Sequence, residues 1–175
     1  MKRLTLTGCC AVLLAAAPAL AQTPLTDASK GQFAIVKGYV TKAAEQVSEA
    51  DYAFKATPDV RSLGAIFAHI ADGNFSICST ASGATSPMSD SVEKTKTSKA
   101  DIQKALAESY AYCDAQFAAM TQAKSMEMTK FFGGEQPRIA VMAFNTAHNF
   151  EHYGNVITYM RLKGMVPPSS QKGGM

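Results

Sequence analysis

Several things are scarce in this 175-residue chain, and each scarcity excludes something. Charged residues make up only 18% of it, and there is no basic block and no arginine stripe. That argues against a nucleic-acid partner, which needs a concentrated positive surface. Beyond the N-terminal stretch no segment is long and apolar enough to cross a bilayer, so no membrane span is expected. The chain has no internal repeat, no low-complexity segment and no convincing strand pattern. No Cys-x-x-Cys pair occurs, which removes the usual thiolate zinc site. Only three histidines are present, His69, His148 and His152, so no other imidazole competes for their role.

The N-terminus reads as a secretory signal peptide over residues 1–21. Lys2 and Arg3 form a basic start, an apolar segment runs from Leu4 to Ala17, and Pro18-Ala19-Leu20-Ala21 supplies a small-x-small cleavage pattern. The expected mature start is Gln22, and the expected location is outside the cytoplasm, in the periplasm. Without Lys2 and Arg3, the 17 basic residues fall to 15 against 14 acidic ones, a net charge of +1 with neutral histidines. Two of the four cysteines leave with the signal. The remaining pair, Cys78 and Cys113, suits a disulfide in an oxidising compartment. The alternative is two small buried side chains.

Residues 22–168 read as one all-α domain of four helices. Phe33, Val36, Val40, Ala43 and Val47 recur at helical spacing in a first helix from about Asp27 to Val47. Leu63, Ile66, Phe67, Ile70, Asn74 and Ile77 trace one face of a second, from about Arg61 to Thr80. His69 lies beside that face on a strip of small residues, Ser62, Ala65, Gly73 and Ser76. From Ala81 to Lys99 the composition turns to Ser, Thr, Gly, Pro and Lys. That connection between helices 2 and 3 is longer than a bundle hairpin needs, so it either crosses the molecule or covers a site. A third helix from about Lys99 to Gln122 carries Ile102, Leu106, Tyr110, Cys113, Phe117 and Met120. The fourth starts near Pro137 and ends near Gly164, before Pro167 and Pro168. Being apolar over most of its circumference, it is expected to be the most buried of the four. Residues 169–175 are expected to be unstructured.

The fourth helix carries the chemistry. His148 and His152 are four residues apart, so their imidazoles leave one face of the helix. That face also holds Val141, Phe144, Asn155 and Tyr159, so the histidines are expected at the polar centre of a buried helix, where polar groups need partners. A divalent metal would satisfy both imidazoles, with His69 as third ligand. The bland alternative is a solvent-facing or hydrogen-bonded pair. His148-Asn149-Phe150-Glu151-His152 also fits H-x-x-E-H, in which the glutamate is the general base of a zinc protease. A protease needs a further acidic ligand downstream, and no Asp or Glu follows Glu151. Glu151 stays a weak catalytic candidate. Asp72, one turn after His69, could orient a histidine as a carboxylate behind the metal ligands. Asn155 and Tyr159 are candidates for the same shell.

The stretch from His148 through Tyr153-Gly154-Asn155 and Tyr159-Met160-Arg161-Leu162 to Gly164 and Pro167-Pro168 resembles the last helix of the DinB family. Phe67-Ala68-His69-Ile70 resembles that family's second-helix histidine motif. Asn155 stands where the family usually has Gln, which keeps the amide, and Tyr153 stands where Arg is common. The resemblance implies a four-helix bundle of the DinB type, often dimeric. It also implies that the three histidines bind a divalent metal such as Zn, Ni, Fe or Mn. Two enzymatic expectations follow: metal-dependent hydrolysis of a small molecule, or thiol transfer. The third is a non-catalytic metal- or ligand-binding bundle.

Overall fold

The computed structural model describes residues 24–172. The expected signal peptide, and the mature start at Gln22, lie outside them. Four long helices form the bundle: α1 (Pro24–Gln46), α2 (Leu63–Ser82), α4 (Lys99–Ala118) and α6 (Arg138–Leu162). Two short helices, α3 (Val92–Thr95) and α5 (Gln122–Met126), and a two-stranded hairpin, β1 (Met128–Phe131) with β2 (Gly134–Pro137), fill the connections. Among the described residues no helix is long and apolar enough to cross a membrane.

The apolar stripes read from the sequence become the core. Phe33, Val36, Val40, Ala43 and Val47 of the α1 region are fully buried, as are Leu63, Phe67 and Ile70 of α2. Ile102, Leu106, Tyr110, Cys113 and Phe117 of α4 meet them. Serine hydroxyls start two of the four long helices by accepting backbone N–H groups that have no partner inside the helix. Ser62 accepts from Ala65 N at 3.2 Å, and Ser98 from Asp101 N at 3.1 Å. At the other end of α1, Lys99 Nζ donates to the carbonyls of Glu45 (2.9 Å) and Val47 (2.6 Å). It therefore ties α4 to the C-terminus of α1.

Cys78 and Cys113 are joined by a disulfide between α2 and α4, with Cα atoms 5.5 Å apart. The bridge closes a 35-residue separation, which in the chain-entropy picture contributes roughly 3–4 kcal/mol. Beside it lies a buried polar knot. Asn74 Oδ1 accepts from Asn145 Nδ2 (3.0 Å) and Asn149 Nδ2 (2.9 Å). Asn74 Nδ2 donates to Ser109 Oγ (3.1 Å), and Tyr110 Oη donates to Asn149 Oδ1 (2.8 Å). These bonds link α2, α4 and α6. A slipped pairing would strand several buried amides, at roughly 1–3 kcal/mol each, so the knot sets how α6 lies against α2.

Four expectations need correction. The chain does contain strands: Met128–Pro137 folds as a hairpin whose turn has Phe132 (φ 47°) and Gly133 (φ 79°) in the left-handed region. A Phe at the first of these positions carries no hairpin signal, because Asn, Asp or Gly is the usual choice there. The most buried helix is α2, with 13 buried residues of 20 against 11 of 25 in α6. The polar centre of α6 is Asn145 and Asn149, both fully buried, while His148 lies at the margin of the core. Finally, residues 169–171 of the segment expected to be unstructured are held, while 173–175 lie outside the described residues. Pro168–Ser170 form a 3₁₀ turn, Tyr153 Oη donates to Ser169 Oγ and accepts from Ser169 N, both at 3.0 Å, and Gln171 Nε2 donates to Gln46 Oε1 at 3.0 Å.

Candidate metal centre

The polar knot aligns α2 against α6, and one consequence is where the histidines fall. His69 leaves the second turn of α2 and meets His148 and His152 from α6. The three Nε2 atoms converge: His148 Nε2 lies 3.3 Å from His69 Nε2 and 3.1 Å from His152 Nε2. Two nitrogens bound to one ion at tetrahedral angles are roughly 3.3–3.4 Å apart. The three rings stand at 53° to 88° to one another, so their nitrogens point at a common place and the rings do not stack. Among the described residues these three form the one His/Cys/Asp/Glu group able to hold a metal ion.

The strip of small residues along α2 has a specific use. Gly73, one turn beyond His69, lies directly under the His148 ring, and a Cβ there would sit 2.5 Å from His148 Cε1 and 2.9 Å from Nδ1. The space is therefore filled by an imidazole. His148 Nδ1 is buried with no hydrogen-bond partner, so this ring is held by packing and has polar contacts only through Nε2.

The protonation states suit ligation. Burial, reinforced by the neighbouring imidazoles, pushes His148 down to about 4, and burial with the nearby charges of His69 and Arg61 does the same to His152. Both are neutral at pH 7, the form in which imidazole binds a metal. His69 Nδ1 lies 3.1 Å from Glu93 Oε2. The carboxylate keeps the proton on Nδ1 and leaves Nε2 as a lone pair facing the other two rings.

Residues 32–156 match the DinB superfamily. The chain belongs to the DinB superfamily. Among solved structures, a DinB-like protein from Bacillus cereus ATCC 10987 superimposes with a TM-score of 0.70 at 17% identity, covering 81% of this chain and 95% of that one. A DinB-like protein from Bacillus subtilis does so with a TM-score of 0.67 at 19% identity, covering 79% and 93%. At these identities the likeness establishes the fold, a DinB-type four-helix bundle with the long connection between α2 and α4. No curated protein has a matching sequence.

In this DinB superfamily member the long connection does cover the site. Its α3 carries Glu93 to His69, and it is Asp72 that docks α3. Asp72 Oδ2 accepts from Ser91 Oγ (2.6 Å) and Glu93 N (3.1 Å), and Oδ1 accepts from Val92 N (2.6 Å). The expectation that Asp72 orients a histidine directly is thus corrected: it caps a helix and places Glu93, which does the orienting. Arg61 Nε binds the other oxygen of Glu93 at 2.8 Å. The signal for Glu93 was faint. It lay in Ser91-Val92-Glu93, a capping serine followed by a lone valine, and Val92 is buried. Nothing in the sequence marked Arg61.

The remaining candidates divide. Asn155 Nδ2 lies 3.5 Å from His152 Nδ1, at the site. The Tyr159 hydroxyl donates to the Arg61 carbonyl at 3.0 Å, and among the described residues it has no hydrogen bond to a histidine. Glu151 is exposed and, among the described residues, has no hydrogen bond to the three histidines. His152 and Tyr153, next to it in sequence, turn inward, and Glu151 turns out with Ala147, Gly154 and Asn155. Next to His152 an open cleft of about 530 Å³ is lined by Val60, Arg61, Ile66, Glu93, Asn155 and Tyr159, among others.

Proposed function

We propose that this protein is an exported member of its superfamily that binds a divalent metal through Nε2 of His69, His148 and His152 and uses it to hydrolyse a small molecule. The observation that carries the reading is the convergence of three Nε2 atoms at 3.1–3.3 Å from two helices. When bound, such an ion supplies Lewis acidity and an open position for water or substrate. Zn, Ni, Fe and Mn all remain compatible with three imidazoles.

The chain's own residues have defined tasks in this reading. Glu93 holds the Nδ1 proton of His69. With His152 Nε2 given to the metal, its Nδ1 carries the proton; Asn155 Nδ2 lies 3.5 Å from that atom, and a half-turn of the amide presents its oxygen there as the acceptor. Gly73 admits His148. Burial keeps His148 and His152 unprotonated at neutral pH. The cleft beside His152 is the route by which a substrate reaches the centre. The disulfide supports export, since such bonds persist in oxidising compartments.

One observation favours a non-catalytic binding bundle instead. Both oxygens of Glu93 are engaged, one by His69 and one by Arg61, and Glu151 is exposed without a bond to the histidines, so neither of these carboxylates is poised as a base. Metal analysis of protein recovered from its native compartment, with His69→Ala and His152→Ala as controls, tests the site. Wild-type stoichiometry in both variants would sink it. Ester, amide and thiol-acceptor substrates assayed with and without chelator test the chemistry. Chelator-sensitive hydrolysis supports the enzyme, turnover only with thiol acceptors makes it a transferase, and no turnover makes it a binding protein. A homodimer belongs to the same proposal and is read by sedimentation.

A further inference from the structure

Arg61 occupies an unusual position for an arginine in an ion pair. Only its Nε is engaged, by Glu93 Oε1. Among the described residues its two terminal amino groups have no hydrogen-bond partner, and its side chain is 44% exposed. Its backbone is fixed on the C-terminal side: Tyr159 donates to its carbonyl, and the next residue, Ser62, caps α2. The guanidinium therefore lines the cleft from an anchored base, beside His152. Its positive charge reaches both His148 and His152. The apolar part of the lining is Ala56, Val60 and Ile66. Val60 is 38% exposed, an apolar surface that a ligand would cover.

We infer that the cleft takes a small organic carboxylate, its anionic end against the terminal amino groups of Arg61 beside His152 and its apolar body over Val60 and Ile66. A guanidinium with two free parallel donors matches a carboxylate in geometry as well as charge. The cleft volume of about 530 Å³ falls in the range of small-molecule sites. Asp59 and Glu93 also line the cleft, and their negative charges favour a singly charged ligand over a dianion. The inference names the ligand class for the site proposed above and rests on that reading only in taking this cleft as the way to the metal; the contact with Arg61 does not need the metal.

Benzoate and its neutral isostere benzamide serve as probes. Their binding is followed by NMR titration at pH 7 on the metal-free and the zinc-loaded full-length mature protein, with metal content measured on the same samples. Benzoate is expected to bind at least about tenfold more tightly than benzamide, the scale of one charge-assisted hydrogen bond, with shifts centred on Val60, Arg61 and Asn155. Arg61→Gln removes the difference while Arg61→Lys retains part of it. Because Arg61 also holds Glu93, Glu93→Gln is the control. It breaks the ion pair but leaves the guanidinium, and it should hold or raise benzoate affinity. Equal affinity for the two probes, no binding of either, or a preference that survives Arg61→Gln overturns the inference. A benzoate preference in protein that takes up no metal upholds it and defeats the metal reading. Stoichiometric metal without the preference does the reverse.

Discussion

Gly73→Ala separates the metal centre from the fold more cleanly than loss of a ligand. The added Cβ would meet His148 Cε1 at 2.5 Å, and reaching ordinary contact near 3.4 Å requires the ring to move by about 0.9 Å. Metal–ligand distances tolerate only about 0.2 Å. His148 has no hydrogen bond at Nδ1 to resist the shift, so the ring gives way and Nε2 leaves the common point. Metal affinity should fall at least about 100-fold, beyond the 10–100-fold typical of losing an outer partner. Stability behaves differently. Alanine is better than glycine in a helix by about 1 kcal/mol, and the local overpacking opposes this by about 1–3 kcal/mol. The metal-free variant should therefore melt within several degrees of the wild type. The assay pairs metal stoichiometry in a competition titration against a chromogenic chelator with thermal melting of both forms. Wild-type affinity in a folded Gly73→Ala protein would refute the account of the site, since it would mean that His148 does not need its observed place.

Three further outcomes follow from the same contacts. Glu93→Gln removes the carboxylate behind His69 and should weaken metal binding by about 10–100-fold with little change in helicity; an unchanged competition titration would show that Glu93 serves only Arg61. In the metal-free protein, His148 and His152 titrate near 4 when folded and near 6.5 when unfolded, so the unfolded chain takes up protons first as the pH drops. Their contribution to stability is intact above pH 6.5, is lost progressively between about 6.5 and 4, and levels off below. Urea titrations across that window should show the fall, and a His148→Gln, His152→Gln double variant should flatten it. Reducing Cys78–Cys113 should lower the unfolding free energy by roughly 3–4 kcal/mol, read from denaturant titrations with and without reductant; a change below about 1 kcal/mol would mean that the unfolded chain gains little freedom when the bridge opens.

The periodic information in the chain was legible because it is local. The stripes of α1, α2 and α4 are runs of three- and four-residue spacing, and every apolar position read from them in α2 and α4 is buried. The His148–His152 spacing is of the same kind, as is the serine that starts α4 at Ser98. The hairpin was missed because its turn uses Phe132 at a left-handed position, where no turn-forming residue announced it. Which polar residues of α6 lie deepest was also misjudged. Asn145 and Asn149 look ordinary in sequence, and they are buried because Asn74, Ser109 and Tyr110 come to meet them.

By itself, then, the sequence determined an all-α bundle, the one pair of cysteines beyond the N-terminal stretch, and three histidines as the place for chemistry. A helix period and a residue count suffice for those. Tertiary structure decided the rest: that His69 meets the α6 pair nitrogen to nitrogen, that Gly73 makes room for His148, and that the long connection returns through Asp72 to set Glu93 behind His69. It also decided that Arg61 faces the cleft and that Glu151 does not. These are relations between residues from 20 to 90 positions apart, fixed by how helices pack. A single strand of residues carries no record of them until buried amides and side-chain volumes choose one arrangement.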